Sequence, residues 1–260
     1  RFVYDPTRDV RQAVAEALGR IGEPALSAEP HLQKLLDDKD WGVREAAVRA
    51  CGQIGMSGEQ VLSHTILLLN DDRGSVRRAA AQAVGMHGKK AIRGARALVL
   101  LLEDKYQAVQ LAAATSLGQL GSQATEVVPD IILLLSSDLP HTRESAISAL
   151  GTIGPSAHDA APALTSLMQV TGGETAQLAA TALTKMGASL GEHIPLLTRH
   201  LKSERKDLQL LTIRTLCEIG KYSEEARQSL QGCLGDSDRT IVEAARQSLE
   251  SIQRLTGATS

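Results

Sequence analysis

At 260 residues the chain is long enough for one large or two ordinary domains, and it is 43% hydrophobic but only 2% aromatic. Its core must therefore come from Ala, Leu, Val and Ile, which favours thin layers of close-packed helices over a core built around large rings. A formal net charge of −2 supplies no global field to hold nucleic acid or an anionic membrane. No apolar stretch approaches the roughly 18–20 residues that cross a bilayer, so no membrane insertion is expected. The chain begins on Arg rather than Met and shows no signal peptide, so it is expected to be part of a longer chain or a complex.

The first periodic element runs from Val10 to Gly22, and it recurs as Val43 to Gly55, Val76 to Gly88 and Val109 to Gly121. Looser copies follow at Thr142 to Gly154, Thr175 to Gly187, Leu208 to Gly220 and Ile241 to Gln253. Every interval is 33 residues, and eight phases without an insertion exclude chance similarity. Counting the first residue of each copy as offset 0, small or apolar residues fall at offsets 0, 3, 4, 7, 8 and 11. That is one face of a helix, helix B. Seven copies close on Gly, a fitting residue just past a helix C-terminus. A second apolar set precedes each copy, as in Leu32, Leu35 and Leu36 or Leu98, Leu101 and Leu102, and marks a helix A that packs on B. Pro30, Pro129, Pro162 and Pro195 share one phase, where they mark the first turn of the main part of helix A or a kink. The expected organisation is a single array over 1–260. It comprises a half repeat 1–22, full repeats 23–55, 56–88, 89–121, 122–154, 155–187, 188–220 and 221–253, and a short tail 254–260.

The motif Asp-x4-Val-Arg-x-Ala-Ala-x2-Ala-Leu-Gly-x-Ile-Gly resembles the HEAT-repeat family in its short variant, similar to the repeats of the phycobilin lyases. The resemblance covers essentially the whole chain. It implies an all-α, right-handed α-α superhelix, a HEAT/armadillo-like solenoid of about seven and a half helical hairpins. It also implies that Asp5, Asp38, Asp71 and Asp104, with Arg11, Arg44, Arg77 and Arg143, form a structural ladder between neighbouring repeats. Physical chemistry agrees, because an Asp beside the start of helix B can cap free N–H groups and accept from an adjacent Arg. Phases six and seven carry Val170 with Ala176 and Ser203 with Gln209, so both ladder positions are lost there. With the turn Thr171-Gly172-Gly173, this makes the stretch near 170–210 the expected weak point.

Residues that carry chemistry are sparse. Cys51, Cys217 and Cys233 form no CxxC pair, and their positions on apolar helical faces make them small buried hydrophobes suited to a reducing, cytoplasmic compartment. None of the seven histidines is followed by Glu, so the His-Glu dipeptides that hold iron in the HEAT-like deoxyhypusine hydroxylases are missing. His193 and His200, seven apart, could share a helix face but have no further ligands beside them. No phosphate-binding loop, nucleophile elbow or Cys/His arrangement is present, so no catalytic, metal or cofactor residue is expected.

Surface is what remains. If helix B lines the concave side, offsets 2 and 6 point outward, and Glu45, Arg49, Arg78, Gln82, Leu111, Thr115, Glu144 and Ser148 become the candidate partner-binding residues. The ridge of A–B turns offers Trp41, Arg73, Tyr106 and Leu139, with aromatic residues of the kind enriched at binding hot spots. From Arg73 to Arg96 there are seven basic residues and no acidic one, although the period distributes them over different faces. The leading reading is a non-catalytic protein-binding scaffold or adaptor. A lyase-like subunit that holds a chromophore-bearing protein is the alternative, and a nucleic-acid-binding array, opposed by the net charge, comes third.

Overall fold

The computed structural model describes residues 2–55 and 58–257, so the first two residues of the expected repeat 56–88 and the tail residues 258–260 lie outside the described residues. The described residues form helices and turns, with no strand among them. The B helices are α1 (Arg8–Ile21), α3 (Trp41–Ile54), α5 (Gly74–Met86), α7 (Gln107–Leu120), α9 (Pro140–Ile153), α11 (Gly173–Met186), α13 (Lys206–Gly220) and α15 (Arg239–Gly257). The A helices between them are α2 (Glu29–Leu36), α4 (Glu59–Leu67), α6 (Ala95–Leu100), α8 (Val128–Leu134), α10 (Ala161–Val170), α12 (Ile194–Thr198) and α14 (Glu224–Gly232). Several A helices are entered through a 3-10 segment, such as Gly121–Val127 before α8. Pro30, Pro129, Pro162 and Pro195 are each the second residue of their A helix, where the missing N–H is no loss.

The chain divides into two compact units, Arg1–Ile131 and Ile132–Ser260. In the first, α1, α3, α5 and α7 stack in order, with α2, α4 and α6 behind them; in the second, α9, α11, α13 and α15 stack in the same way. Along α3 the residues at the six expected offsets (Val43, Ala46, Ala47, Ala50, Cys51 and Ile54) are all buried. Burial is wider than a single face, because Val48, Ala81 and Ala114 at offset 5 are buried too. An inner B helix is covered by its own A helix and by a B helix on each side, so only a narrow strip stays in water. Small residues make that possible. A Cβ placed on Gly151 would lie 3.0 Å from the Ala182 backbone of the next B helix, so glycine lets the two backbones approach. The closing glycines Gly22, Gly55, Gly88, Gly121, Gly154 and Gly187 all adopt positive φ. Gly220 departs from the expectation, because α13 continues through it and Lys221 takes the cap.

Charged side chains connect successive turns. Arg11, Arg44 and Arg77 each donate two hydrogen bonds to an aspartate 27 residues on: Asp38, Asp71 and Asp104. Each also reaches back to carbonyls of its own turn, as Arg44 does to Asp38 and Lys39. Asp38, Asp71 and Asp104 accept from the N–H two residues further on, at 2.9 Å, and so brace the turn rather than the first helical N–H groups. Hydrogen bonding to the Arg11 guanidinium holds the Asp38 carboxyl below the usual carboxylate range. Gln110 stands where the fourth arginine would be and keeps only the bond to its own turn, to the Asp104 carbonyl. Arg143 donates to the Ser137 carbonyl, and the position of its onward aspartate is the exposed Val170.

In the second unit a different residue joins the turns. Arg205 lies outside the expected ladder register, yet it donates to the carbonyls of Gln169 (2.9 Å) and Thr171 (2.7 Å) while pairing with Asp207. It therefore ties the Thr171-Gly172-Gly173 turn to the following one. Lys206 meets Asp238 at 2.7 Å, and its bond holds the Asp238 carboxyl at a pKa of about 2.

Arg77→Ala should cost about 3 kcal/mol, because it strands an Asp104 side chain that is only 5% exposed. Arg143→Ala, with no carboxylate partner to strand among the described residues, should cost under about 1 kcal/mol. Urea denaturation measures both, and equal losses would refute the role given to the carboxylates. Arg205→Ala should speed amide exchange in 169–173 by about tenfold relative to α3, about 1.4 kcal/mol in a local opening, because the two bonds come from a partly exposed guanidinium and contribute less than buried ones. Unchanged exchange would mean that Arg205 does not hold the turn.

Candidate functional site

The narrow exposed strip of each B helix carries the surface residues expected from the sequence, and the structure sorts them into separate places. Glu45 and Arg49 pair with each other along α3 and line a polar cleft of about 320 Å³ with Gln12 and Glu16 of α1. Arg78, Gln82, Leu111 and Thr115 come together in a groove of about 470 Å³ between α5 and α7. Glu144 and Ser148 are half-buried on α9 in the second unit, where Glu144 meets His141 at 3.3 Å. The second unit has its own cleft, of about 320 Å³, with Gln177, Thr181, Leu211 and Arg214 on its walls.

On the turn ridge, Trp41, Arg73 and Tyr106 meet in a second cleft of the first unit, of about 360 Å³. Leu139, the fourth ridge residue, is exposed in the other unit. The ridge cleft exists because three B helices begin there: Trp41 opens α3, while Arg73 and Tyr106 are the residues that precede α5 and α7. The Arg73 guanidinium lies 5.9 Å from the centre of the Trp41 ring, within cation–π range. The Tyr106 ring lies against Gly74, where an added Cβ would collide with it. Arg78 and Ala108 line both the ridge cleft and the α5–α7 groove, so the two are continuous.

The basic run from Arg73 to Arg96 dissolves into different roles. Arg77 is held by Asp104, Arg93 by Glu59 at 3.2 Å and Arg96 by Glu126 at 3.7 Å. The side chain of Lys89 lies outside the described residues. Arg73 and Arg78 are the two guanidinium groups of the run with no carboxylate in ion-pair reach among the described residues.

The expected list missed several exposed apolar residues. Met86 is 62% exposed and sits in the groove beside Leu111, at 61%. Offset 10 of helix B would have found it, since it lies one turn beyond offset 6 on the same face. Leu67 and Leu100, one period apart at the ends of α4 and α6, are also exposed, and the 33-residue period was their signal.

Burial disfavours the charged forms of the interior thiols and imidazoles. Burial pushes the Cys51 thiol up to about 12 and raises Cys233 as well. Burial lowers the pKa of His200, whose neighbour Arg205 adds to the effect, and lowers His87 likewise with Lys90 beside it. His193 is half-buried and His200 buried. No cluster of three or more metal-ligating side chains occurs among the described residues. No helix of the described residues is long and apolar enough to cross a membrane.

These stacked hairpins define an all-α solenoid, and the sequence places it. A family model described as HEAT repeats matches residues 1–92 and 95–183, so the chain belongs to the HEAT-repeat family. No curated protein matches it significantly. Among solved structures, Kap121p is similar with a TM-score of 0.56 at 17% identity, over 96% of this chain and 34% of that one. An engineered protein scores 0.45 at 23% identity, over 74% of this chain and 96% of that one. The complex of CpcE and CpcF of phycocyanin lyase from Nostoc sp. PCC7120 scores 0.45 at 19% identity, over 96% and 92%. At these identities the likeness to Kap121p is one of fold, and the chain spans about a third of that protein's length.

Thiol accessibility gives a direct check on the interior. A thiol-reactive dye should label the half-buried Cys217 in the native protein and reach Cys51, which is fully buried, only after unfolding. Mass spectrometry of the labelled peptides reads the order. Early labelling of Cys51 would show that α3 is not packed as described.

Proposed function

We propose that the chain is a non-catalytic protein-binding scaffold or adaptor that takes its partner on the exposed strips of its B helices. The observation that carries this reading is the groove between α5 and α7. There Leu111 and Met86, both more than half exposed, flank polar Gln82 and Thr115 with Arg78 at one end. A large exposed apolar residue inside a concave strip rimmed by polar groups is the composition of a binding surface. Membership of a repeat family whose layers present long continuous faces supports the same reading. The buried thiol of Cys51 and the free state of all three cysteines support a reducing, cytoplasmic setting.

Affinity capture from the source cell with the unaltered protein and with Leu111→Arg tests the groove, and Ser148→Arg tests the α9 face in parallel. Leu111→Arg should reduce recovery of specific partners by at least about tenfold, the loss expected of a central anchor. Arg96→Glu, on helix α6 away from the groove, should leave recovery unchanged. Identical partner sets for all four proteins would exclude the B-helix face as the binding surface.

A further inference from the structure

We infer that the continuous surface from the Trp41–Tyr106 ridge cleft to the Leu111–Met86 groove binds an extended acidic peptide segment of a partner protein, one that also carries large apolar residues. The inference rests on the scaffold reading above and gives it a ligand class.

Charge is the first argument. Neither the cleft nor the groove has an acidic side chain on its walls. Of the carboxylates in these turns, Asp71 receives Arg44 and Asp104 receives Arg77, while the adjacent Asp72 makes no ion pair with Arg73. Arg73 and Arg78 therefore face the cleft with no carboxylate in ion-pair reach among the described residues, in a protein whose net charge is slightly negative. Lys105 adds a third cation, 5.2 Å from the Tyr106 ring centre. A cluster of guanidinium groups with no carboxylate in ion-pair reach is complementary to carboxylates on a partner.

The helix ends add to that field. Arg73 and Tyr106 precede α5 and α7, and neither side chain accepts a hydrogen bond from its helix. At α3, by contrast, Asp40 accepts from the Gly42 N–H. The first turns of α5 and α7 thus begin at the cleft with no side-chain cap, the Arg73 and Tyr106 carbonyls taking the Val76 and Val109 N–H groups. On their own these ends would bind nothing in particular; beside Arg73 and Arg78 they favour the same sign of ligand.

Apolar chemistry separates a peptide from a nucleic acid. The ridge cleft offers two rings, Trp41 and Tyr106, which could hold either a base or a side chain. Beyond Arg78 the surface continues as Ala108, Leu111, Ala112 and Met86. That stretch sets these apolar side chains beside the uncharged Gln82, Thr115, Ser116 and Gln119, with no ring to stack on and no further cation to follow a phosphate backbone. A chain that alternates carboxylates with aliphatic or aromatic side chains fits both parts.

The test uses the full chain and defined probes. Arrayed short peptides mixing acidic and large apolar residues are compared with arrays in which the acids are replaced by amides, by lysines or by phosphoserine, and with oligothymidine in solution. The acidic apolar array should be bound, and retention should fall as salt rises. Arg73→Glu together with Arg78→Glu should weaken binding by at least about tenfold, and Arg96→Glu, whose partner is Glu126, should leave it unchanged. Gly74→Ala, which displaces the Tyr106 ring without altering charge, should weaken the aromatic-containing peptides more than the purely aliphatic ones. Circular dichroism confirms that each variant folds. Equal binding of acid and amide arrays, preference for phosphoserine or oligothymidine, or full retention by the double variant would each overturn the inference. Failure here with Leu111→Arg still losing captured partners would remove the ligand class and keep the scaffold reading. Unchanged partner capture by both Leu111→Arg and Ser148→Arg would remove the B-helix face as the binding surface.

Discussion

The guanidinium–carboxylate tie between successive turns is the interaction on which the first unit depends. Arg44 holds the Asp71 carboxylate of the next repeat with two nitrogens and the carbonyls of its own turn with a third. With side chains 16% and 5% exposed, the pair has little water to compensate for poor geometry. Each repeat is thereby set against the next at a fixed offset, and the flat fork of arginine makes the contact directional where a lysine ammonium would not. The Asp also braces its own turn, so one side chain fixes both the turn and its neighbour.

That tie has a second consequence, at the surface. Carboxylates engaged by ladder arginines no longer neutralise other cations nearby. Arg73 and Arg78 are left facing a cleft, although the chain as a whole carries slightly more acid than base. Local charge is thus set by which groups are already paired, and the overall composition says little about it. The same accounting removes Arg93 and Arg96 from the basic run, since Arg93 faces Glu59 on α4 and Arg96 faces Glu126 in the 3-10 segment before α8.

Packing by small residues shapes what remains exposed. Alanine and glycine on the B helices let neighbouring backbones approach, so an inner B helix is covered on three sides and only a few positions per repeat reach water. Those positions are free to vary without cost to the layer. This is why the strip can be polar at Glu45 and Arg49, apolar at Leu111 and Met86, and mixed at Thr181 and Arg214 on the same scaffold. A partner reads the strip, while the layers beneath it are nearly uniform.

The strict 33-residue period, the small-residue helix face, the closing glycines and the phased prolines were legible in the sequence, because each is imposed locally by helix geometry. The pairing of Arg11, Arg44 and Arg77 with aspartates 27 residues on was implied by the family resemblance. What the linear pattern could not contain is contact made outside the repeat register. Arg205 reaches back to Gln169 and Thr171 where the ladder is missing, and a register-based reading saw only the lost positions Val170, Ala176, Ser203 and Gln209. Likewise Trp41, Arg73, Arg78 and Tyr106 are spread over more than sixty residues and belong to two different surface classes by offset, yet they share one cleft. Such groupings depend on how far side chains extend across neighbouring layers, and only the tertiary structure decides that.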